Sequence, residues 1–402
     1  MNDTPLPRHE RGAATLVVML GLLAALALGT LFANRGLLLE ARMSANQARA
    51  TVAFEAAEAG LDWTLAQLDT PARIGADCRP GAGATGSFRE SMLVDLPAGP
   101  AARVAAGGAP MRAACVRRAG AWACHCPTDG AIVLPASDDA DPAAFVVEIT
   151  AGERPGIVRV ASAGSVSGRV GARTAAAFAL LPALGAAPAA AVTARGTIDA
   201  GTATIANEDP STAGLVLHAG GTIAATAAQL TTTAGSSSDG TLAANDAPLA
   251  ASDAERRFVA TFGQPRDVWK HRPGVAAIDC NAAADCAARV AAAVEAGHTM
   301  VAVDGELALG GPLTLGTSER PVLLAVRGRL LLDGPVLLHG LAFADGVAWQ
   351  GAAGGAIRGA LLSSADVTLS SAAAIRRDPA VLTALQRLTG TFVRVPGSWR
   401  DF

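Results

Sequence analysis

From Gly12 to Ala33 the chain carries no charged side chain. It then runs on, with no turn signal, into a polar segment that keeps a helical pattern as far as Asp69. About 20 apolar residues, rising 1.5 Å each, span the hydrocarbon core of a bilayer. Arg8 and Arg11 precede the run and Arg35 follows it; basic residues before a first span predict an N-terminus in the cytoplasm. Beyond the run, Met43, Gln47, Ala50, Phe54, Ala57, Leu61, Leu65 and Leu68 recur at spacings of three or four, one face of a helix. Glu55, Glu58 and Asp62 take another face. Thr70-Pro71 closes the pattern, because the residue before proline is pushed out of helical space. One continuous helix over 13–70 is therefore expected, roughly 80 Å long. Its lower half suits lipid or a bundle of like helices. Its upper half is expected to pack beneath a globular head through Met43, Phe54, Leu61, Leu65 and Leu68. A cleaved secretory signal fits poorly, since its apolar core would be about 7–15 residues with a small-x-small site behind it. An ordinary single-pass anchor is the plainer alternative.

The stretch ERGAATLVVMLGLLAAL, followed by LLLEARMSANQARATVAFEAAEAGLD, lies within residues 10–62. It resembles the N-terminal region of PilX-type minor pilins, which take part in assembling type IV pili. The resemblance implies a prepilin-type leader over 1–12, with Gly12 its last residue and Ala13 the new N-terminus after prepilin peptidase cuts. It also implies an inner-membrane anchor, a periplasmic head, partnership with other minor pilins and the assembly machinery, and a place on the pilus or cell surface after assembly. Major pilins carry a glutamate at the fifth mature position; here that position is Val17. The type II secretion tip pseudopilin also lacks it, so Val17 is compatible with a tip subunit, which has no neighbour above it to serve. The same resemblance leaves adhesion to a surface receptor open.

After the helix, 71–142 reads as irregular. FVVEIT (145–150), GIVRVASAGSV (156–166) and RTAAAFALLP (173–182) read as antiparallel strands divided by turns. The first part is thus expected to be α+β, a long transmembrane and amphipathic helix on a small antiparallel sheet, with a head over 71–182 and a linker over 183–195. From 196 to 402 the texture changes. GTIDAGTATIA at 196 is echoed by GTIAATAAQLT at 221, and GELALGGPLTL (305–315) aligns with GRLLLDGPVLL (328–338). A period in the twenties, alternating leucines and glycine corners predict a β-solenoid, a parallel β-helix-like head with helical insertions. A glycine-rich antiparallel sandwich is the alternative. Helices are expected over 252–263, 285–297 and 378–388.

Net charge is −3 and charged residues make up 17%, so no basic field invites nucleic acid. Six cysteines, Cys78, Cys115, Cys124, Cys126, Cys280 and Cys286, suggest disulfides in a domain held outside the cytoplasm. Cys280 and Cys286 form the easiest pair; the other four allow three connectivities. The spacing in WACHCP is not that of a standard zinc ribbon. No GxSxG, HExxH, P-loop or DxDxDG pattern occurs, and no cofactor is expected. Asp199, Glu208, Asp209, Asp304, Glu306, Asp333, Asp345 and Asp366 could serve a polysaccharide-cleaving site on a solenoid face, but their glycine neighbours favour turn duty. Three functions therefore compete: a minor-pilin-like structural subunit, a membrane-anchored β-helix enzyme acting on polysaccharide, and a type II secretion tip pseudopilin.

Overall fold

The computed structural model describes residues 11–402 except 82, 83, 85, 106, 127–133, 138, 140, 236, 237, 282–284 and 352–354. The expected leader lies outside the described residues as far as residue 10. The chain opens on one unbroken helix, α1 (Arg11–Asp69), which includes Gly12 and Ala13 in its first turn.

The upper end of α1 lies on an antiparallel sheet. Its strands are β1 (Arg112–Arg118), β2 (Ala121–His125), β3 (Ala143–Ala151), β4 (Ile157–Val166) and β5 (Arg169–Pro182). The last three match the expected alternating runs. β1 and β2 lie in the stretch expected to be irregular, where Ala-Ala-Cys-Val and Ala-Trp-Ala-Cys carry weak β propensity. Tertiary pairing makes them strands: Cys115 sits directly opposite Cys124, and Arg112 opposite Glu148, with an ion pair at 2.9 Å.

The sheet is closed from the far end of the chain. Gly390–Arg394 pairs antiparallel with β5, from Gly390 opposite Pro182 to Arg394 opposite Phe178, and Arg400–Asp401 pairs further down the same strand. This corrects the division that gave all of 196–402 to a second domain. The C-terminal residues complete the first sheet, and residues 183–389 are inserted between two neighbouring strands of it.

Among the described residues the insert holds sixteen strands in one connected network, and the pairings within it are parallel. That overturns the antiparallel sandwich. The sequence echoes mark neighbouring strands in register: Leu307 pairs with Leu330, Leu309 with Leu332, Leu315 with Leu338, and Ile198 with Ile223. Alternate residues point into a shared apolar core that includes Leu307, Leu332, Trp349, Leu361 and Ile375.

The stacking order is not the chain order. One ladder runs Val275–Asp279, Met300–Asp304, Val322–Asp333, Val336–Gln350, Ala356–Ser363, then Val192–Ala194, Leu217–Ala219 and Leu242–Ala243. The chain thus enters mid-stack at Val192 and climbs to one edge at Leu242. It crosses to the opposite edge at Val275 and winds back to where it entered. The crossing contains α2 (Ala254–Phe262) and the turn Arg266–Trp269. Phe258, Phe262 and Trp269 cover the ladder's outer face against Phe343 and Leu362. Asp253 caps α2, and Gly263 ends it in the left-handed region at φ 74°. α3 (Cys286–Glu295) sets Cys286 and Val290 into the array's core at its Val275 edge, and α4 (Pro379–Arg387) leads back to the first sheet.

All six cysteines are paired: Cys78–Cys126, Cys115–Cys124 and Cys280–Cys286. The entropy removed from an unfolded chain grows with the loop closed. Cys78–Cys126 spans 48 residues, so replacing both by serine should cost about 4 kcal/mol. Cys280–Cys286 spans 6, and its double replacement should cost about 2 kcal/mol. Urea unfolding of the two double variants, compared with the parent, checks the order.

Candidate functional site

The part of the molecule built to meet something else is α1. Residues 14–37 and 39–52 of the helix are exposed, and the candidate membrane segment lies within Ala14–Asp69. This is the single helix among the described residues that is long and apolar enough to cross a membrane. The whole helix far exceeds a bilayer's roughly 30 Å core, so only its uncharged part, ending near Ala33, suits lipid. Val17 is 68% exposed, and no carboxylate occurs between it and Glu40. Thr30 and Thr51 donate their hydroxyls to the carbonyls of Ala27 and Gln47, so these polar groups are satisfied within the helix itself.

The seat of the head begins at Ala53. The buried positions are Ala53, Ala56, Ala57, Gly60, Leu61, Thr64 and Leu68. Leu61 and Leu68 were expected there, and Leu65 packs partly buried beside them. Met43 and Phe54 are not part of the seat. Met43 is 64% exposed, well below the sheet, and Phe54 is 37% exposed. For Phe54 the reason is steric, because beside Ala53 and Gly60 the helix approaches the sheet too closely for large side chains. A Cβ on Gly164 would lie 1.8 Å from the Ala53 carbonyl oxygen, and one on Gly60 would lie 2.2 Å from Ser162 Oγ. Small residues therefore form the lower part of the contact, where Phe54 is turned off it, and Leu61 and Leu68 join the contact higher up. Higher up the core takes bulk again: Trp63 meets Phe88 edge-on at 5.1 Å and tilts over Phe145 at 5.7 Å.

The returning C-terminal segment ties down the outer side of the helix. Arg394 donates to Asp62 at 2.9 Å, and the Trp399 indole N–H donates to Glu58 at 2.7 Å. At the end of the helix the Phe392 amide donates to the Asp69 carboxylate at 2.6 Å. Burial pushes the Asp69 carboxyl up to about 6, against the lowering pull of the Phe392 amide, Arg89 and Arg272. A raised carboxyl pKa favours the neutral form in the fold. Its contribution to stability is full below the ordinary value near 4 and is lost as pH rises through about 6. Asp69→Asn keeps an acceptor for the Phe392 amide and removes the buried charge. It should stabilise the protein at pH 7.5 by about 1–2 kcal/mol after allowance for partial exposure, and change nothing at pH 4. Urea midpoints at the two pH values decide this.

The candidate carboxylates of the insert are scattered. Asp199 accepts from the Gly201 amide, Asp366 from Thr197, and Asp304 from Lys270. Asp345 holds Arg266 through two bonds. Glu208 and Asp209 do come together, facing Arg376 and Arg377 in a cleft of about 490 Å³ that Arg358 and Asp378 also line. Each of these two acids is held by its own arginine. Among the described residues no group of three or more His, Cys, Asp and Glu side chains could hold a metal ion. His218 pairs with Asp246 at 2.6 Å, and His298 meets the Gly274 carbonyl.

Sequence reasoning missed the inserted topology and the C-terminal clasp. Arg394 and Trp399 lie in FVRVPGSWRDF, and only their partners on α1 give them a role.

Residues 11–62 match the family model described as PilX N-terminal. A search of curated protein sequences finds no match. Among solved structures, the competence-associated pilin ComZ from Thermus thermophilus is similar over 88% of this chain and 97% of its own, at 13% identity and a TM-score of 0.22. That score is too low to bear on fold or function.

Proposed function

We propose that this chain, whose residues 11–62 are of the PilX N-terminal type, is a minor pilin of a type IV pilus, placed in its tip or assembly-priming complex. The observation that carries the reading is α1: one unbroken helix, bare along its apolar length and seated in the head only from Ala53 upward. A bare apolar helix in water would be costly. In a membrane, and later among the helices of sibling subunits, it is in its proper solvent.

In this reading the N-terminus is cytoplasmic and the head periplasmic. Prepilin peptidase cuts between Gly12 and Ala13. The Val17 side chain cannot neutralise the N-terminal amine of a subunit above, and at a tip there is none. The insert of residues 183–389, read as one coil of a β-solenoid, gives the head bulk that a free end accommodates more readily than a packed shaft. Adhesion through that insert is consistent with the placement. The unit borders follow the pairing: 11–182 with 390–402 as one unit, and 183–389 as the other.

N-terminal sequencing from cells with and without prepilin peptidase tests the reading. A chain starting at Ala13 only when the peptidase is present supports it. The same uncut start in both backgrounds overturns it and favours a simple anchor.

A further inference from the structure

Three arginines line one cleft on the outer face of the first sheet. Phe178 of β5 points into the core that also holds Leu61 of α1. Successive residues of a strand take opposite faces, so Ala175 and Ala177 point away from the helix. Arg159 of β4 sits opposite Ala177, and Arg400 sits opposite Ala175. Both arginines therefore stand on the face that α1 leaves open. They are two strand spacings apart across the sheet, about 10 Å, with only small side chains of β5 between them.

Two turns raise the walls. Arg394 is opposite Phe178 and Arg400 is opposite Ala175, so residues 395–399 bulge out of the ladder. The bulge is pinned to β5: the Val395 amide donates to the Ala177 carbonyl at 2.8 Å, and the Ala177 amide donates to Ser398 Oγ at 3.0 Å. On the other side the turn between β3 and β4 is closed by the Gly152 amide, which donates to the Ile157 carbonyl at 3.1 Å. Glu153 and Arg154 lie in that turn. The space enclosed is a cleft of about 540 Å³, and its charged lining is Glu153, Arg154, Arg159 and Arg400.

Among the described residues none of the three arginines forms an ion pair or a side-chain hydrogen bond. The nearby acids are placed elsewhere. Glu148, opposite Ala161 on the same face, is held by Arg112 at 2.9 Å. Asp401 is opposite Thr174, which is buried on the helix side of the sheet. A cleft lined mainly by one sign of charge focuses its field and concentrates counter-ions. Three cations against the one carboxylate of Glu153 leave two net positive charges. A phosphate monoester carries about −1.5 to −2 at neutral pH, and its oxygens match the forked donors of guanidinium groups. A single carboxylate would neutralise only half of the excess. The volume falls within the roughly 300–1,000 Å³ of small-molecule clefts, and Ile157 and Ala177 give it an apolar floor.

We propose that Arg154, Arg159 and Arg400 form a binding site for the phosphate monoester of a sugar-sized molecule. The ester has two sources: a soluble sugar phosphate, or the headgroup of a phosphorylated lipid.

The test is isothermal titration calorimetry on the full-length chain in non-ionic detergent micelles at pH 7.5 and fixed ionic strength. Glucose 1-phosphate should bind at one saturable site. Glucuronate and inorganic phosphate should each bind about tenfold more weakly or worse, the first for its single charge and the second because it leaves the apolar floor uncovered. Arg159→Gln and Arg400→Gln are exposed changes that leave the fold intact, and each should weaken glucose 1-phosphate binding about tenfold or more. Arg256→Gln, an equal loss of charge on α2, should leave it unchanged. Phosphatidic acid added to the micelles separates the sources: displacement of glucose 1-phosphate identifies a lipid headgroup, and retention identifies a soluble ester. Absence of saturable glucose 1-phosphate binding, equal affinity for glucuronate or inorganic phosphate, or an equal loss in Arg256→Gln overturns the site.

Discussion

Gly164→Val is expected to detach the head from its helix. A Cβ at 164 would lie 1.8 Å from the Ala53 carbonyl oxygen and 2.7 Å from the Ala57 amide nitrogen. Both are backbone atoms of a rigid helix, so no side chain can swing away to make room. The helix must lift, and lifting it uncovers Ala53, Ala56, Ala57 and Gly60 together. Overpacking that forces backbone movement costs 1–3 kcal/mol, and the lost seat adds to that, so about 3 kcal/mol or more is expected. Gly346→Ala is the matched control. A Cβ there meets only Arg329 Cγ, at 3.9 Å, and stability should stay within about 0.5 kcal/mol. Trp63 and Trp122 lie in the core beside the seat, so their fluorescence during urea unfolding of the detergent-solubilised protein reads both variants. A Gly164→Val protein with the parent's midpoint would show that the close helix-to-sheet contact does not exist.

The second large effect concerns the insert. Removing residues 183–389 and joining Pro182 to Gly390 through Asn-Gly should leave a folded, helix-bearing head. Pro182 and Gly390 are already directly paired on neighbouring strands, so a two-residue hairpin turn spans the gap without strain. Ending the chain after Pro182 should do the opposite. That truncation removes Phe392, which is 1% exposed in the same core as Leu61, Phe145 and Phe178. Loss of a buried phenylalanine alone costs 3–5 kcal/mol. The clasps from Arg394 to Asp62 and from Trp399 to Glu58 go with it. Protease resistance and cooperative unfolding of the two shortened chains distinguish the cases. If both are equally unfolded, the insert is not a separable unit.

Much of this architecture can be read from local pattern. The uncharged run and the spacing of three and four specify α1, because helical periodicity and bilayer thickness are properties of the chain itself. The leucine echoes at 305–315 and 328–338 specify neighbouring parallel strands, because a repeated rung repeats its inward positions. Gly263 and Asp378 mark a helix end and a helix start, because caps are satisfied within a few residues.

What local pattern does not carry is which distant segments meet. The stripe through Met43 and Phe54 is a sound helical face, yet the sheet meets it only from Ala57 upward and takes the rest of its contact from the neighbouring Ala53, Ala56, Gly60 and Thr64. Gly60 and Gly164 permit a closer approach there than any large side chain could, and that depends on two surfaces more than a hundred residues apart. The entry into the array at mid-stack and the return of Gly390 to β5 are likewise choices among pairings that alternating strands satisfy equally well. Periodicity says that a strand has an inner face; it does not say which partner covers its edge. The tertiary structure decided that, through steric fit at the helix seat and the pairing of buried backbone groups along each ladder.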